Sequence, residues 1–160
     1  MISVAEATRL VAATIRPLGT ELLSLPLAAG RVLHEDLRAD RDFPPFNRVA
    51  MDGIALRYEA LASGGPELLI AATQFAGQPP VTGTDPAAAV EIMTGAMLPE
   101  GLDTVIRYED LTFRTDAAGL RYATVRALPP RAGHNEHQQA ADSRQGELLL
   151  PAGTRLAPAE

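Results

Sequence analysis

The first apolar pattern of the chain has the spacing of an α-helix. Apolar residues recur every three or four positions near the N-terminus, so a helix would carry them on one face. Ser3, followed three positions later by Glu6, is the capping box typical of a helix start, and Pro17 and Gly19 indicate where the helix ends. The pattern therefore predicts an N-terminal helix whose apolar face consists of Val4, Ala7, Val11, Ile15 and Leu18.

Beyond residue 22 the apolar positions form short runs separated by turn residues, which is the pattern of β-strands. The clearest hairpin has Asp116-Ala117-Ala118-Gly119 as its turn. Short helical turns are predicted at residues 30–36 and 58–62. Thirteen prolines and thirteen glycines add many tight corners, so the predicted fold class is mainly β with an N-terminal helix. The predicted strands are residues 22–27, 68–73, 88–92, 104–108, 111–115, 120–128 and 147–150.

Composition narrows the class of protein. A chain of 160 residues forms one domain or two small ones, and a hydrophobic content of 46% suits a globular fold. The net charge of −6 argues against a nucleic-acid binder, whose binding surface is basic. No apolar run approaches the roughly 20 residues that span a bilayer, and the N-terminus lacks the pattern of a signal peptide. We therefore expect a cytoplasmic protein that binds neither nucleic acid nor membrane.

The residue types that are missing exclude several chemistries. The chain has no cysteine, which excludes disulfides, thiolate metal sites and a cysteine nucleophile. All 14 cationic side chains are arginine, which excludes Schiff-base chemistry on lysine and a lysine-bearing phosphate loop. The sequence also contains no nucleophile elbow, Gly-rich dinucleotide loop or zinc-protease motif. The candidate chemistry is left to a few polar residues in turns.

The first candidate turn lies at the end of residues 42–53. Pro44 and Pro45 stiffen this loop, and Asp52 stands at its end beside Gly53. An aspartate in such a position either bonds the main chain of its own turn or serves a functional site.

The second candidate turn lies within residues 91–101. A buried-looking strand ends there on Met93, Thr94 and Gly95, which offer a hydroxyl and flexible main-chain amides. The turn is either a plain β-turn or a group of N–H donors able to hold an oxyanion.

Two further groups of polar residues carry weaker signals. Glu109 and Asp110 could share a proton or a metal, but neighbours on a strand point to opposite faces, so they are interpreted as surface charges. His134, Glu136 and His137 hint at a metal site, but their spacing matches no strong ligand pattern. Residues 131–145 form the most polar stretch and have no period, so they are interpreted as a loop or an exposed linker.

The two candidate turns, in this order, resemble signatures of the MoeA/gephyrin-type molybdopterin molybdenumtransferases. Residues 44–55 are similar to the family's Pro-x-Phe-Asp-Asn-Ser-Ala-Met-Asp-Gly-Tyr-Ala, and residues 91–101 to its Arg-Ile-Met-Thr-Gly-Ala-x-Leu-Pro-Glu-Gly. Residues 29–33, 75–79 and 146–156 also agree with the family, so the resemblance covers essentially the whole chain. It implies the N-terminal region of an enzyme that inserts molybdate into adenylylated molybdopterin, in molybdenum cofactor biosynthesis.

The resemblance also implies an architecture and an assembly. It implies bent, bifurcated β-sheets in two domains: a compact β-rich domain formed by residues 1–19 and 39–139, and an elongated arm formed by residues 20–38 and 140–160. The family's pterin-binding α/β domain is expected to be absent from these residues. The implied assembly is a homodimer, in which this region of one subunit faces the catalytic domain of the other.

The family's functional residues carry over to positions of this sequence that match its motifs. Asp52, Thr94 and Asp142 are the implied catalytic residues, and the implied cofactors of the full-length enzyme are Mg²⁺ and molybdate. No residue of this chain is assigned as a metal ligand. The implied substrate-binding residues are Pro45, Phe46, Asn47, Met51, Gly53 and Gly95.

The sequence departs from the family's pattern at two motifs. Asp-Asn-Ser of the first signature is replaced by Asn47, Arg48 and Val49, and an Arg-x-x-Gly-Glu-Asp segment is replaced by residues 137–142, which keep only Asp142. Two functions follow as hypotheses. One is the N-terminal region of a transferase, which is inert alone; the other is a stand-alone, non-catalytic module for dimerisation or scaffolding.

Overall fold

The structure is a computed structural model and describes residues 2–16, 18–63 and 67–160. Its regular elements confirm a mainly β fold with an N-terminal helix. In chain order they are α1 (Val4–Thr14), a 3₁₀ turn (Leu25–Leu27), β1 (Leu37–Arg38), β2 (Arg48–Val49), β3 (Gly53–Leu56), α2 (Ala60–Ser63), β4 (Glu67–Gln74), β5 (Ala89–Ile92), β6 (Thr104–Arg107), a second 3₁₀ turn (Tyr108–Asp110), β7 (Leu111–Thr115), β8 (Arg121–Val125), β9 (Glu136–His137) and β10 (Leu148–Leu150).

The chain divides into two compact units, 1–37 with 148–160, and 38–147. This division keeps α1 with the C-terminal residues, whereas the family resemblance groups residues 1–19 with 39–139. The predicted domain assignment stays a prediction.

In the first unit, α1 begins as the capping box predicts. The Ser3 hydroxyl accepts a hydrogen bond from the Glu6 main-chain N–H at 3.2 Å. The helix ends at Thr14, earlier than expected, and Pro17 lies outside the described residues. No residue of α1 is buried, so its apolar face is exposed.

Two local predictions for the first unit were wrong. The predicted strand at 22–27 is a 3₁₀ turn with Pro26 in its first positions, because proline offers no N–H to a strand ladder. The predicted helical turn at 30–36 is absent from this described segment: the main chain of Val32 is bridged to that of Arg155, and residues 34–35 form a bend. A single sequence could not reveal that residues 153–156 return to pair with this segment.

The second unit is built on a six-stranded sheet in the order β6-β3-β5-β4-β8-β7. β4 and β5 are parallel and the other neighbours are antiparallel, as the β7–β8 hairpin was predicted to be. The register between β4 and β5 shifts between Ile70 and Ala72, which bends the sheet at that point.

Apolar side chains cover both faces of this sheet. Every residue of β3 and β5 is buried, because alternate side chains of each strand enter different clusters. One cluster contains Ile54, Leu56, Leu68, Ala89, Ile106, Leu111, Ala123 and Val125. The other contains Val49, Ala55, Val90, Ile92, Ala96, Leu102 and Val105.

The remaining predictions were mostly met. Predicted strands at 68–73, 88–92, 104–108, 111–115, 120–128 and 147–150 correspond to β4, β5, β6, β7, β8 and β10, and the turn at 58–62 leads into α2. Four strands of the described residues were not predicted, namely β1, β2, β3 and β9. Residues 131–145 are consequently more than a linker, since β9 pairs with β2. No helix in the described part of the chain is long and apolar enough to cross a membrane.

Candidate functional site

The two candidate turns meet in the second unit. Asp52 stands in the turn between β2 and β3, and its Oδ1 accepts a hydrogen bond from the main-chain N–H of Thr94 at 2.6 Å. The two residues are 42 positions apart, so Asp52 binds the other signature and not its own turn. Both side chains are exposed to solvent, so a ligand can reach them.

The charge of Asp52 is stabilised where it lies. The Thr94 main-chain N–H, followed by the Thr94 side chain, holds the pKa of the Asp52 carboxyl below its ordinary value. Asp52 is therefore an anion at neutral pH, suited to orient a cation, a water molecule or a hydrogen-bond donor. It would repel molybdate unless a positive group or a donor lay between them.

A short ladder around β2 brings three segments of the sequence together. On one side β2 pairs with β9. On the other side Val49 exchanges main-chain hydrogen bonds with Gly95 and Ala96, at 2.9 and 3.0 Å, and the Asn47 carbonyl accepts from Leu98 N–H at 3.0 Å. Both signatures and the segment that precedes Asp142 are thus joined through one strand.

Asp142 is linked to β2 through the side chain of His137, which was interpreted from the sequence as part of a polar loop. Its Oδ1 lies 3.1 Å from Nε2 of His137, and Nδ1 of the same ring lies 3.1 Å from Nη2 of Arg48. The main-chain N–H of Asp142 donates to the carbonyl of Phe43 at 2.9 Å, which ties the segment to the proline loop.

The predicted substrate-binding residues occupy different environments. Pro45, Asn47 and Met51 are exposed, and Phe46 and Gly95 are half-buried. The Asn47 side-chain oxygen accepts from the Gln139 main-chain N–H at 2.9 Å, so this side chain also fastens the third segment. The assignment of these residues to substrate stays a prediction.

Gly53, also predicted to bind substrate, is buried between β5 and β6. A Cβ added to this glycine would lie 1.8 Å from the carbonyl oxygen of Ile106. The close approach of β3 and β6 therefore explains why this position is a glycine, independently of any role of the turn in binding a ligand.

A buried glutamine organises a loop next to Thr94, and sequence reasoning missed it. Gln74 is 1% exposed; its Oε1 accepts from Val81 N–H at 2.7 Å, and its amide nitrogen lies 3.2–3.3 Å from three carbonyl oxygens of residues 75–79. This loop reaches the second turn, since a Cβ on Gly95 would lie 3.8 Å from that of Ala76. The only sequence signal was the agreement of residues 75–79 with the family.

A second missed group surrounds Glu91, which precedes the Met-Thr-Gly turn. Its carboxylate accepts hydrogen bonds from both Arg121 Nη atoms at 2.8 and 3.1 Å, from the Tyr108 hydroxyl at 2.9 Å and from the Thr73 hydroxyl at 3.2 Å. Burial, followed by the bond to Glu91, raises the pKa of the Tyr108 hydroxyl to about 12. The main chain of Tyr108 in turn donates to the Asp52 carbonyl at 3.1 Å, so this network supports the first turn.

We expect the raised pKa of Tyr108 to appear as an alkaline loss of stability. A folded-state pKa above the unfolded value of 10.0 stabilises the protein fully below pH 10.0, and this contribution disappears as the pH rises to about 12. The chain has no lysine or cysteine to titrate in the same range. In denaturant unfolding, the difference in free energy of unfolding between wild type and Tyr108→Phe should therefore shrink as the pH rises from 9 to 12.

The absorbance of tyrosinate provides the check on this expectation. The last phase of the titration, near pH 12, should be missing in Tyr108→Phe and retained in Tyr122→Phe. A last phase that persists in Tyr108→Phe would contradict the assignment.

The described residues do not form a metal site by themselves. Among residues 2–16, 18–63 and 67–160, no group of three or more His, Asp or Glu side chains could hold a metal ion. His134, Glu136 and His137 are half-buried around β9, and the ring of His137 is taken by Arg48 and Asp142. An ion beside Asp52 would have to take its other ligands from substrate oxygens and water.

Comparison with known proteins places this geometry in a family. A family model described as the MoeA N-terminal region, domains I and II, matches residues 2–160. The chain belongs to this family. The matched range contains both signature turns and the segment that carries Asp142.

Named relatives and solved structures agree with the family model. The chain is 35% identical over 159 residues to a molybdopterin molybdenumtransferase of Synechocystis sp. and 34% identical over 161 residues to that of Bacillus subtilis, covering 98% of the chain in both cases. It covers 39% and 37% of those proteins, so it spans less than half of their length.

Two crystal structures of the molybdopterin biosynthesis MoeA protein from Pyrococcus horikoshii match with TM-scores of 0.77 and 0.81, at 29% and 31% identity. They cover 98% and 97% of this chain, which covers 39% and 41% of theirs. The bent, branched β architecture of the MoeA N-terminal region is thereby confirmed as the fold class.

Proposed function

We propose that this chain supplies part of the active site of a molybdopterin molybdenumtransferase, which inserts molybdate into adenylylated molybdopterin. The carrying observation is the 2.6 Å hydrogen bond between Asp52 and Thr94, which joins the two signature turns and keeps a carboxylate ionised at an exposed position. Two relatives that the chain matches over 98% of its length are named as this enzyme.

The proposed roles follow from the chemistry of each group. Asp52 orients a water molecule or Mg²⁺ against the anionic substrate, while the Thr94 hydroxyl adds a second polar group beside it. Asp142 adds a second carboxylate from the neighbouring segment. Because the described residues hold no complete metal site, Mg²⁺ and the pterin draw their remaining contacts from outside these residues, and the chain alone is expected to be inert.

The proposed assembly is a cytoplasmic homodimer, with no nucleic-acid or membrane partner. In the first unit no described apolar side chain is fully buried, and Val4, Val11 and Ile15 of the predicted helix face are 85%, 64% and 72% exposed. Apolar surface of this extent is typical of a protein–protein interface. A second copy would cover it and bring this region close to another subunit's pterin site.

The exposed helix face also favours the second candidate function, a non-catalytic module for dimerisation or scaffolding. The loss of the arginine, glycine and glutamate from residues 137–142 points the same way. The intact Asp52–Thr94 contact favours the enzyme, because a scaffold has no use for an ionised carboxylate held at an exposed turn.

Complementation distinguishes the two functions. In cells that depend on the intact gene product for molybdenum cofactor, Asp52→Ala should lower cofactor production at least about tenfold, equivalent to ~1.4 kcal/mol of transition-state stabilisation. Asp40→Ala is the matched control, because that carboxylate is 76% exposed and pairs with the neighbouring Arg41. Equal cofactor production by wild type and both variants would overturn the enzymatic role and support the scaffold.

A further inference from the structure

Arg48 and His137 face each other on the short ladder of the site. They are directly opposite in the antiparallel pairing of β2 with β9, so their side chains project to the same side. Nη2 of the guanidinium lies 3.1 Å from Nδ1 of the ring. Both residues are partly buried, which limits the other partners that the ring can find.

The chemistry of the two groups fixes the protons on the ring. A guanidinium has N–H donors and no acceptor, so Nδ1 of His137 must accept from Arg48 and cannot carry a hydrogen. The opposite nitrogen, Nε2, lies 3.1 Å from Oδ1 of Asp142, and an ionised carboxylate only accepts. Only the neutral ring with its hydrogen on Nε2 satisfies both contacts.

The ring therefore bridges a cation and a carboxylate, with the lone pair of Nδ1 toward Arg48 and the N–H of Nε2 toward Asp142. If the ring carried its hydrogen on Nδ1, it would oppose Arg48 with a donor and present a lone pair to Asp142. Both contacts would then be repulsive, so the guanidinium and the carboxylate together select the form of the ring that donates to Asp142. The Asp142 carboxylate, 46% exposed, has its side-chain direction set by this bond.

We propose that Arg48 is a positioning residue that acts through His137 to hold the Asp142 carboxylate in the site. The inference rests on the proposed function only in taking Asp142 as a site residue; the ring form and the contacts follow from the geometry. Arg48 acts on Asp142 through this ring, and its effect is to hold one carboxylate in one direction.

Nitrogen NMR of the ¹⁵N-labelled chain tests the proposal directly. The chain has three histidines, so the ring signals can be assigned one by one. At pH 7.5 His137 should show one protonated nitrogen, Nε2, and one unprotonated nitrogen, Nδ1. Arg48→Met removes the donor that keeps Nδ1 free of hydrogen, so part of the molecules should carry a hydrogen on Nδ1 while Nε2 stays protonated toward Asp142. Arg48→Lys, which keeps a cationic donor, should restore much of the wild-type pattern.

Controls separate a positioning role from general damage. Arg114→Met removes an arginine of β7 that pairs with Glu67 of β4, and should leave the His137 nitrogens unchanged. A wild-type ring that is cationic or protonated on Nδ1 at pH 7.5 would overturn the proposal without the need for any variant. Ring signals of His137 in Arg48→Met that match those of wild type would also overturn the proposal.

The two proposals fail differently. If Asp52→Ala leaves cofactor production unchanged while the ring of His137 behaves as expected, the proposed function is wrong and the positioning contact stands. If Asp52→Ala abolishes production while Arg48→Met leaves ring signals and production unaltered, the positioning role is wrong. Where both hold, Arg48→Met should lower production several-fold and Arg48→Lys should recover most of it.

Discussion

Gly53→Ala is expected to destabilise the second unit by about 4 kcal/mol or more, the upper range for a single substitution. The added Cβ would lie 1.8 Å from the Ile106 carbonyl oxygen and 2.9 Å from the Cα of Arg107. Both are main-chain atoms of β6, so no side-chain rotation can relieve the overlap. β3 and β6 would have to separate by more than 1 Å, on the order of the distance that breaks a ladder hydrogen bond.

Urea unfolding monitored by far-UV circular dichroism measures this effect, since the chain contains no tryptophan. Gly119→Ala is the matched control. Gly119 has a φ of +84° in the β7–β8 turn, but its added Cβ would meet no atom within 4 Å. That variant should lose only about 1–2 kcal/mol from the left-handed conformation. Equal losses of unfolding free energy in the two variants would mean that β3 and β6 can separate with little loss of stability.

The sequence allowed the longer strands and the helix start to be predicted because their signals are local. β4, β5, β7 and β8 are runs of apolar or alternating residues, and the hairpin turn carries its own chemistry. The Asp116 carboxylate accepts from the main-chain N–H groups of Ala118 and Leu120, both at 2.9 Å, as a turn aspartate is expected to do.

The strands that hold the site could not be predicted in the same way. β2 and β9 contain two residues each, too few for any period, and they exist because distant segments pair with them. β3 was hidden because it begins on a glycine, which propensity places in turns, whereas close packing against β6 selects it.

The candidate site was likewise predictable only in part. Asp52 and Thr94 stood out because each ends a rigid turn, and the structure joins them. Arg48 and His137 were noted as departures from the family's pattern, but a sequence cannot show that two departures 89 positions apart contact each other. Long-range pairing carries that information, and a single sequence does not contain it.

Arg121→Met is expected to destabilise the second unit by about 2–3 kcal/mol, because it leaves a buried carboxylate without its cation. The Glu91 side chain is 10% exposed and that of Arg121 is 47% exposed. Removing the arginine therefore leaves an unpaired charge with little access to water. Glu91→Gln should cost less, since the freed guanidinium can turn to solvent and the amide oxygen still accepts from Tyr108.

An exposed pair of similar geometry serves as the control. Arg114 and Glu67 form a 2.6 Å ion pair with side chains 50% and 38% exposed, so Arg114→Met should cost much less stability than Arg121→Met, because solvent screens an exposed pair. Equal losses of unfolding free energy in Arg114→Met and Arg121→Met would show that the burial of Glu91 does not strengthen its ion pair with Arg121.

The pH dependence distinguishes a stranded charge from simple loss of packing. Burial raises the pKa of Glu91, but hydrogen bonds from Arg121, Tyr108 and Thr73 outweigh it and hold the pKa below the ordinary value of 4.5. A lowered pKa stabilises the protein above pH 4.5, and this contribution is lost as the pH falls through the folded-state value. The stability advantage of wild type over Glu91→Gln should therefore shrink below pH 4.5.

In Arg121→Met the pH dependence of stability should have the opposite sign. Without its cation the carboxylate is governed by burial, which favours the protonated form, so acid should relieve part of the damage. The difference between wild type and Arg121→Met should then be largest near pH 7 and smallest in acid. A difference that stays constant with pH would show that Arg121 contributes through packing of its alkyl chain, and that the charge of Glu91 is satisfied by Tyr108 and Thr73 alone.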